Sequence, residues 1–178
     1  MALELINLDE ETREYMLAEM EHDTAAKTLY TGKYLSALGV EHYPNLSREA
    51  LRDGKDDSLA IALSEPGLFE ATYPRRKPSG GYTSARVPHT APVTLAEGEF
   101  NRFYLRGLCQ RILAIGGGGV EIYRARPSSQ PRLESEAMIG RRVDAKTLLA
   151  DLREHVGVDT ALGLPPGPNS DLSGRLVA

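Results

Sequence analysis

Histidine and cysteine side chains are the first candidates for catalysis or metal binding in this sequence. The histidines share no spacing typical of metal ligands; they stand at positions 22, 42, 89 and 155. The single cysteine, Cys109, lies in an apolar stretch, where a thiol is usually inert. One thiolate can form neither an internal disulfide nor a cysteine-type zinc site. These residues therefore predict no catalytic or metal-binding cluster.

Two other patterns match catalytic motifs only in part. Asp144 and Lys146, with Glu121 upstream, have the residue types of a metal-dependent nuclease, but Asp144 stands where a helix N-cap is expected. The glycines from Gly116 to Gly119 follow a predicted helix, whereas a phosphate-binding loop precedes one. We therefore predict that the protein is not an enzyme and holds no cofactor and no metal ion.

An arginine-rich segment lies between residues 102 and 142, with eight arginines, no lysine and three glutamates. A guanidinium group suits forked contacts with carboxylates and phosphates. Three explanations remain open: internal pairing with the acidic N-terminal helix, a subunit interface, and contact with nucleic acid. The arginines are Arg102, Arg106, Arg111, Arg124, Arg126, Arg132, Arg141 and Arg142.

The first 24 residues are strongly acidic, with eight aspartates and glutamates against one arginine. Asp9 is a suitable N-cap, and Met16 and Met20 recur at helical spacing, so the segment predicts a helix over 9–23. A charged helix face of this kind is usually just solvated. We interpret residues 1–24 as an acidic helical arm that a hinge near Gly32 allows to reach a neighbouring chain.

The elements that must position these residues are predicted from hydrophobic periodicity and capping signals. The most apolar helix spans 94–115 and follows a capping box formed by Thr94 and Glu97. The other predicted elements are short helices over 47–51 and 56–63, a strand over 120–125, a helix over 144–157 and a short strand over 174–177. The pattern predicts an α+β fold, with one domain over residues 1–178 around a long central helix and a small sheet.

Two segments rich in proline and glycine interrupt this pattern. Residues 66–93 are predicted as a long extended loop, which either pairs with another chain or lies flexibly on the surface. Residues 164–178 are predicted as a C-terminal extension. Residues 29–35 fit either a short hairpin or a continuation of the preceding helix. We expect the two long segments to gain order from neighbouring copies in an assembly.

Composition limits the class of protein. The chain has 178 residues and a formal net charge of −4, which fits one soluble globular domain. No apolar run approaches the ~18 residues that a membrane-spanning helix needs, and the N-terminus lacks a signal-peptide pattern. We therefore predict a cytoplasmic protein without a membrane partner. The acidic balance argues against wholesale binding of nucleic acid but permits a local basic patch.

Three stretches, 96–109, 134–140 and 163–170, carry a resemblance to known sequences. They begin with Ala-Glu-Gly-Glu-Phe-Asn-Arg, Glu-Ser-Glu-Ala-Met and Gly-Leu-Pro-Pro-Gly. In these stretches the chain resembles uncharacterised bacterial proteins associated with prophage structural regions. The resemblance covers roughly the C-terminal half and includes no catalytic motif. It implies a role in a virion or in head assembly rather than an enzymatic one.

These observations favour a non-enzymatic structural protein that assembles with copies of itself, either in the cytoplasm or within a phage virion. The alternative is a nucleic-acid-binding accessory protein that uses the arginine-rich segment. The candidate interface residues come from the acidic arm, the long loop and the arginine-rich segment. They are Glu10, Glu14, Met16, Met20, Arg75, Arg76, Arg102, Arg106, Arg124, Arg126, Arg141 and Arg142.

Overall fold

The computed structural model describes residues 2–128, 131–157 and 171–177. The helices within these residues are α1 (Glu10–Ala26), α2 (Ala37–Asp53), α3 (Asp56–Leu63), α4 (Ala91–Ala114), α5 (Leu133–Glu136) and α6 (Ala145–Glu154). The strands are β1 (Thr72–Arg76), β2 (Tyr82–Arg86), β3 (Gly119–Arg124), β4 (Arg142–Asp144) and β5 (Leu172–Leu176). Helices and two small antiparallel sheets form one α+β domain, as predicted.

Helix α4 is the centre of the core, as its apolar circumference predicts. Phe100, Phe103 and Leu105, which point to different sides of the helix, are at most 1% exposed. The helix begins earlier than predicted because Pro92, which has no N–H to satisfy, fits the first turn after Thr90. The predicted capping box is therefore wrong: residues 94 and 97 lie inside the helix, and Glu97 binds Arg126 instead.

Helix α1 packs against α4 and is not a mobile arm. Its Asp9 cap is confirmed, since the carboxylate accepts a hydrogen bond from the Thr12 N–H at 2.9 Å. Met16 and Met20 have no exposed surface. A Cβ atom added to Gly107 of α4 would lie 2.8 Å from Met16 Cγ, so the two helices approach as closely as a glycine allows.

Residues before and within α1 tie it to other parts of the domain. The Leu3 N–H donates to both carboxylate oxygens of Asp56 at 3.1 Å, and the Asn7 N–H donates to the Tyr104 hydroxyl at 3.0 Å. The Arg13 guanidinium donates to the carbonyl oxygens of Leu51 and Gly54 at the end of α2, both at 2.8 Å. Residues 2–24 of the predicted acidic arm are therefore an integral part of the domain.

Helix α2 is longer than predicted. Its N-cap is Ser36, whose hydroxyl accepts from the Gly39 N–H at 3.0 Å, and Pro44 lies inside the helix. Because a proline usually ends a helix, the sequence pattern showed only the part after it, starting at Ser47. Residues 29–35 are neither a hairpin nor a helix, and Leu35 forms an isolated bridge with Phe69. The short helix predicted over 56–63 is confirmed as α3.

The three-stranded sheet has the order β4-β3-β5, with both pairings antiparallel. Strand β5 is not part of an extension, because Leu172, Ser173 and Gly174 are buried against β3 and α4. The Asp144 cap of α6 is confirmed, with its carboxylate accepting from the Thr147 N–H at 2.8 Å. Residues 158–170, which include the rest of the predicted extension and one stretch of the resemblance, lie outside the described residues.

The loop predicted over 66–93 contains the second sheet, which consists of β1 and β2 alone. The register pairs Thr72 with Arg86 and Arg76 with Tyr82. Pro74 lies in the middle of β1, and further prolines or glycines follow each strand, which made the segment look irregular in the sequence. We call residues 72–86 the basic hairpin.

Candidate nucleic-acid interface

Arg106 is an example of an arginine of the arginine-rich segment that pairs with carboxylates of the same chain. Its side chain has no exposed surface, and it lies between α4 and the last turns of α1. The Nε atom donates to Glu19 Oε2 at 2.8 Å, Nη1 donates to Asp23 Oδ2 at 2.6 Å, and Nη2 donates to Asp23 Oδ1 at 2.8 Å. A buried guanidinium is tolerated only when it is paired in this way.

Two further arginines complete this buried network. Arg102 Nε donates to Glu99 Oε2 at 3.1 Å, and its Nη1 lies 3.7 Å from Asp23 Oδ2. Arg153 of α6 donates from Nε to Glu19 Oε2 at 3.0 Å. Three arginines and three carboxylates thus neutralise one another where α1, α4 and α6 meet.

The network shifts the pKa values of its carboxyl groups in opposite directions. Burial alone would raise the pKa of Glu19 and Asp23, but hydrogen bonds and charge from Arg153 and Arg106 outweigh it, so both pKa values lie below the ordinary ones. For Glu99 burial dominates over the attraction of Arg102, and its pKa is raised. Glu19 and Asp23 are therefore the carboxylates that stabilise the buried arginines in their charged form.

The remaining arginines of the segment divide into paired and exposed ones. Arg111 binds Asp9 at 2.8 Å, Arg124 binds Glu136, and Arg126 binds Glu97 together with Asp171. Arg141 and Arg142 are exposed, and no acidic side chain within the described residues forms an ion pair with them. Of the three explanations for the segment, the structure supports pairing within the chain for most of its arginines.

Several predicted interface residues are therefore unavailable to a partner. Met16, Met20, Arg102 and Arg106 lie in the interior, because the chain's own helices cover them. Arg124 and Arg126 are partly buried and already hold carboxylates. The predicted residues that remain exposed are Glu10, Glu14, Arg75, Arg76, Arg141 and Arg142.

The basic hairpin is built so that its base is held and its tip is free. At the base, the Tyr73 ring packs edge-on against Tyr34 with 4.9 Å between ring centroids, and the Val87 N–H donates to the Ala71 carbonyl at 3.1 Å. At the tip, the Lys77 N–H donates to the Gly81 carbonyl at 3.0 Å. A Cβ atom on Gly81 would meet nothing within 4 Å, so the tip projects away from the domain.

The strand register sorts the hairpin side chains onto two faces, because directly paired residues lie on the same side of a sheet. One face, which we call the outer face, carries Arg76 paired with Tyr82, Pro74 paired with Ser84, and Thr72 paired with Arg86. All six of these side chains are exposed. The opposite face carries Tyr73, Thr83 and Ala85, which are half-buried, and Arg75, which is exposed.

The hairpin carries a local positive charge that nothing in the described structure neutralises. Its four cations are Arg75, Arg76, Lys77 and Arg86, and residues 72–86 include no aspartate or glutamate. Within residues 2–128, 131–157 and 171–177, none of the four forms an ion pair. A shallow open concavity at the tip is lined by residues 76–80. The arrangement suits a polyanion rather than a small molecule.

Of the hairpin side chains, Arg75 and Arg76 were predicted from the sequence as interface residues, whereas Lys77, Tyr82 and Arg86 were not. A usable signal was present, since Gly80 and Gly81 separate two runs rich in tyrosine, threonine and arginine. Both glycines have positive φ, +90° and +76°, as a tight hairpin connection often requires.

Other candidate sites have structural roles. Cys109 is buried, which raises the pKa of its thiol to about 12. The glycines at 116–118 have positive φ and follow the end of α4.

No group of three or more histidine, cysteine, aspartate or glutamate side chains in the described part of the chain could hold a metal ion. No described helix is both long and apolar enough to span a membrane.

No family model matches the chain, and neither a curated protein nor a solved structure matches it significantly.

Proposed function

We propose that this protein binds nucleic acid through the basic hairpin. The observation that carries the proposal is the contrast between two groups of arginines. Those of the core are paired with carboxylates of the same chain, whereas the four cations of the hairpin have no acidic partner within the described residues. Arginine and lysine side chains presented together in this way bind phosphate groups by neutralising them and releasing their counterions.

The shape of the molecule supports the same proposal. The chain as a whole is acidic, with a net charge of −4, so a polyanion is repelled by much of its surface. A hairpin that projects from the domain holds its cations away from this surface. The contact between Tyr34 and Tyr73 holds the base of the hairpin against the domain.

The test is fluorescence anisotropy with a labelled 20-bp duplex at about 50 mM salt, where phosphate contacts are strong. We expect the double variant Arg75→Ala with Arg76→Ala to bind roughly tenfold or more weakly than the unaltered protein. The control is Arg141→Ala with Arg142→Ala, which removes the same charge from another exposed site. We expect the control to change affinity little, and thermal melting should show both variants folded. Equal losses in both variants would contradict the assignment to the hairpin.

Self-assembly is a second candidate function. It is favoured by Glu10 and Glu14, which are exposed on α1 and form no ion pair within the described part of the chain. The hairpin of one copy and this acidic surface of another are complementary in charge, and a head-to-tail contact of this kind closes into a ring when the rotation permits. The resemblance to uncharacterised bacterial proteins associated with prophage structural regions supports a role for such an assembly in a virion.

Light scattering over a range of protein concentrations separates the two functions. Self-assembly predicts a mass above that of one chain, which falls to the monomer value when Glu10 and Glu14 are changed to glutamine. Nucleic-acid binding predicts that the same variants retain affinity for the duplex. We place nucleic-acid binding in the cytoplasm, where the free buried thiol of Cys109 is stable in its reduced form, and self-assembly either there or within a virion.

A further inference from the structure

We infer that the basic hairpin enters the major groove of duplex DNA, an inference that rests on the proposed binding of nucleic acid. A two-stranded antiparallel ribbon is one of the two protein elements that the B-DNA major groove admits. The hairpin is such a ribbon, since β1 and β2 pair only with each other in their sheet. It is also free at its tip, which insertion requires.

The dimensions of the hairpin fit this groove. Neighbouring strands lie about 4.8 Å apart, and with their side chains the ribbon approaches the ~12 Å width of the major groove. Each strand has five residues. At about 3.3 Å per residue the hairpin extends roughly 16 Å from its base, beyond the ~8.5 Å depth of the groove. The minor groove, about 6 Å wide, is too narrow for a ribbon without deformation of the DNA.

The distribution of side chains over the two faces supports insertion rather than a flat contact. The outer face presents Arg76 and Arg86, while Arg75 points from the opposite face, so cations lie on both sides of the ribbon. A ribbon within a groove has a phosphate strand on each side, and cations on both faces reach both strands. A flat contact with the outer face would leave Arg75 turned away from the DNA.

Single strands and double-stranded RNA fit this surface less well. Proteins bind single strands by stacking successive bases on several aromatic rings, but the hairpin exposes one such ring, that of Tyr82, which is 70% exposed. The Tyr73 ring is already packed against Tyr34. In A-form RNA the major groove is deep and too narrow for side chains to read.

The experiment compares one sequence as a 20-bp DNA duplex, a 20-bp RNA duplex and a single DNA strand, by anisotropy with the full-length chain. We expect the DNA duplex to bind at least about tenfold more tightly than either alternative. A second DNA duplex carries glucosylated 5-hydroxymethylcytosine, which fills the major groove. We expect it to bind at least about tenfold more weakly than the plain duplex, whereas netropsin, which occupies the minor groove, leaves affinity unchanged.

The outcomes separate this inference from the proposal on which it rests. Equal affinity for all three nucleic acids, still dependent on Arg75 and Arg76, would overturn the groove assignment and leave nucleic-acid binding in place. Competition by netropsin together with indifference to glucosylation would also overturn it, in favour of the minor groove. The absence of binding to any of the probes at about 50 mM salt would overturn both.

Discussion

At the scale of single residues, Arg106 shows how an arginine of the arginine-rich segment is used inside the core. It is one of the largest side chains in the core, yet every nitrogen of its guanidinium donates a hydrogen bond to α1. Its partners Glu19 and Asp23 lie 87 and 83 positions away in the sequence. Charge patterning alone therefore could not distinguish these two carboxylates from their solvated neighbours on the same helix.

Replacing Arg106 by methionine leaves the buried Asp23 without its principal partner and removes one of the partners of Glu19, which Arg153 still holds. We expect this change to lower the free energy of unfolding by roughly 3–5 kcal/mol, as breaking a buried ion pair commonly does. The control is Arg111→Ala, whose partners Asp9 and Glu11 are half-exposed, and for which we expect a loss below about 1 kcal/mol. Urea denaturation measures both values. Similar losses of unfolding free energy for the two variants would show that the buried ion pairs stabilise the fold no more than the exposed pairs do.

Asp23 gives the network a predictable dependence on pH. Its pKa in the folded protein lies below the ordinary 3.8, because hydrogen bonds and charge from Arg106 outweigh burial. A lowered pKa stabilises the fold at pH values above the ordinary one, and this stabilisation disappears as the pH falls through the folded-state value. We therefore expect Asp23→Asn to destabilise the protein clearly at pH 7 and less at pH 3, because the stabilisation begins to be lost below the ordinary pKa of 3.8. A destabilisation that is constant between these pH values in urea titrations would contradict the assignment.

At the scale of elements, the parts that could be predicted are those with local signals. Helix α6 follows its Asp144 cap, α1 follows its Asp9 cap, and α4 follows its apolar circumference. The first half of α2 was missed because Pro44 hid its continuity. The hairpin was missed because two short exposed strands show little hydrophobic alternation. The sequence left the pairing of α1 with the arginines of α4 as one of three open explanations, because this contact depends on residues far apart in the chain.

Gly107 tests the docking of α1 on α4 directly. A Cβ atom there would approach Met16 Cγ to 2.8 Å and the Thr12 carbonyl oxygen to 3.0 Å, so we expect Gly107→Ala to destabilise the protein by about 1–3 kcal/mol. The matched control is Gly98→Ala on the same helix, where the added Cβ meets nothing within 4 Å. Alanine is the better helix former, so we expect this control to be neutral or stabilising. Thermal melts that rank the two variants in the opposite order would refute the close approach of the helices.

At the scale of the whole molecule, the chain divides its charge between an inner and an outer set. The inner set, at the junction of α1, α4 and α6, is neutral and structural. The outer set includes acidic residues on α1 and the four cations of the basic hairpin. The sequence showed the same separation of charge along the chain, but only folding decides which charges remain available to a partner.

Removing residues 1–24 tests whether the inner set of charges is needed for folding. If residues 1–24 were the separable acidic arm that the sequence predicts, the truncated chain would remain folded and lose only its ability to assemble. The structure leads to the opposite expectation, because the deletion exposes Arg106 and the α4 surface that Met16 and Met20 cover. We expect circular dichroism to show no cooperative melting transition for the truncated chain. A cooperative transition close to that of the full-length protein would restore the idea of a separable arm.

The most direct test of the account is the salt dependence of DNA binding. Each phosphate neutralised contributes about −0.9 to the slope of log K against log salt concentration. Four hairpin cations therefore predict a negative slope that is no steeper than about −3.6. Removing Arg75 and Arg76 is expected to reduce the magnitude of the slope by roughly 2, while removing Arg141 and Arg142 leaves it nearly unchanged. A slope near zero for the unaltered protein, or an equal reduction in both double variants, would contradict a nucleic-acid interface on the basic hairpin.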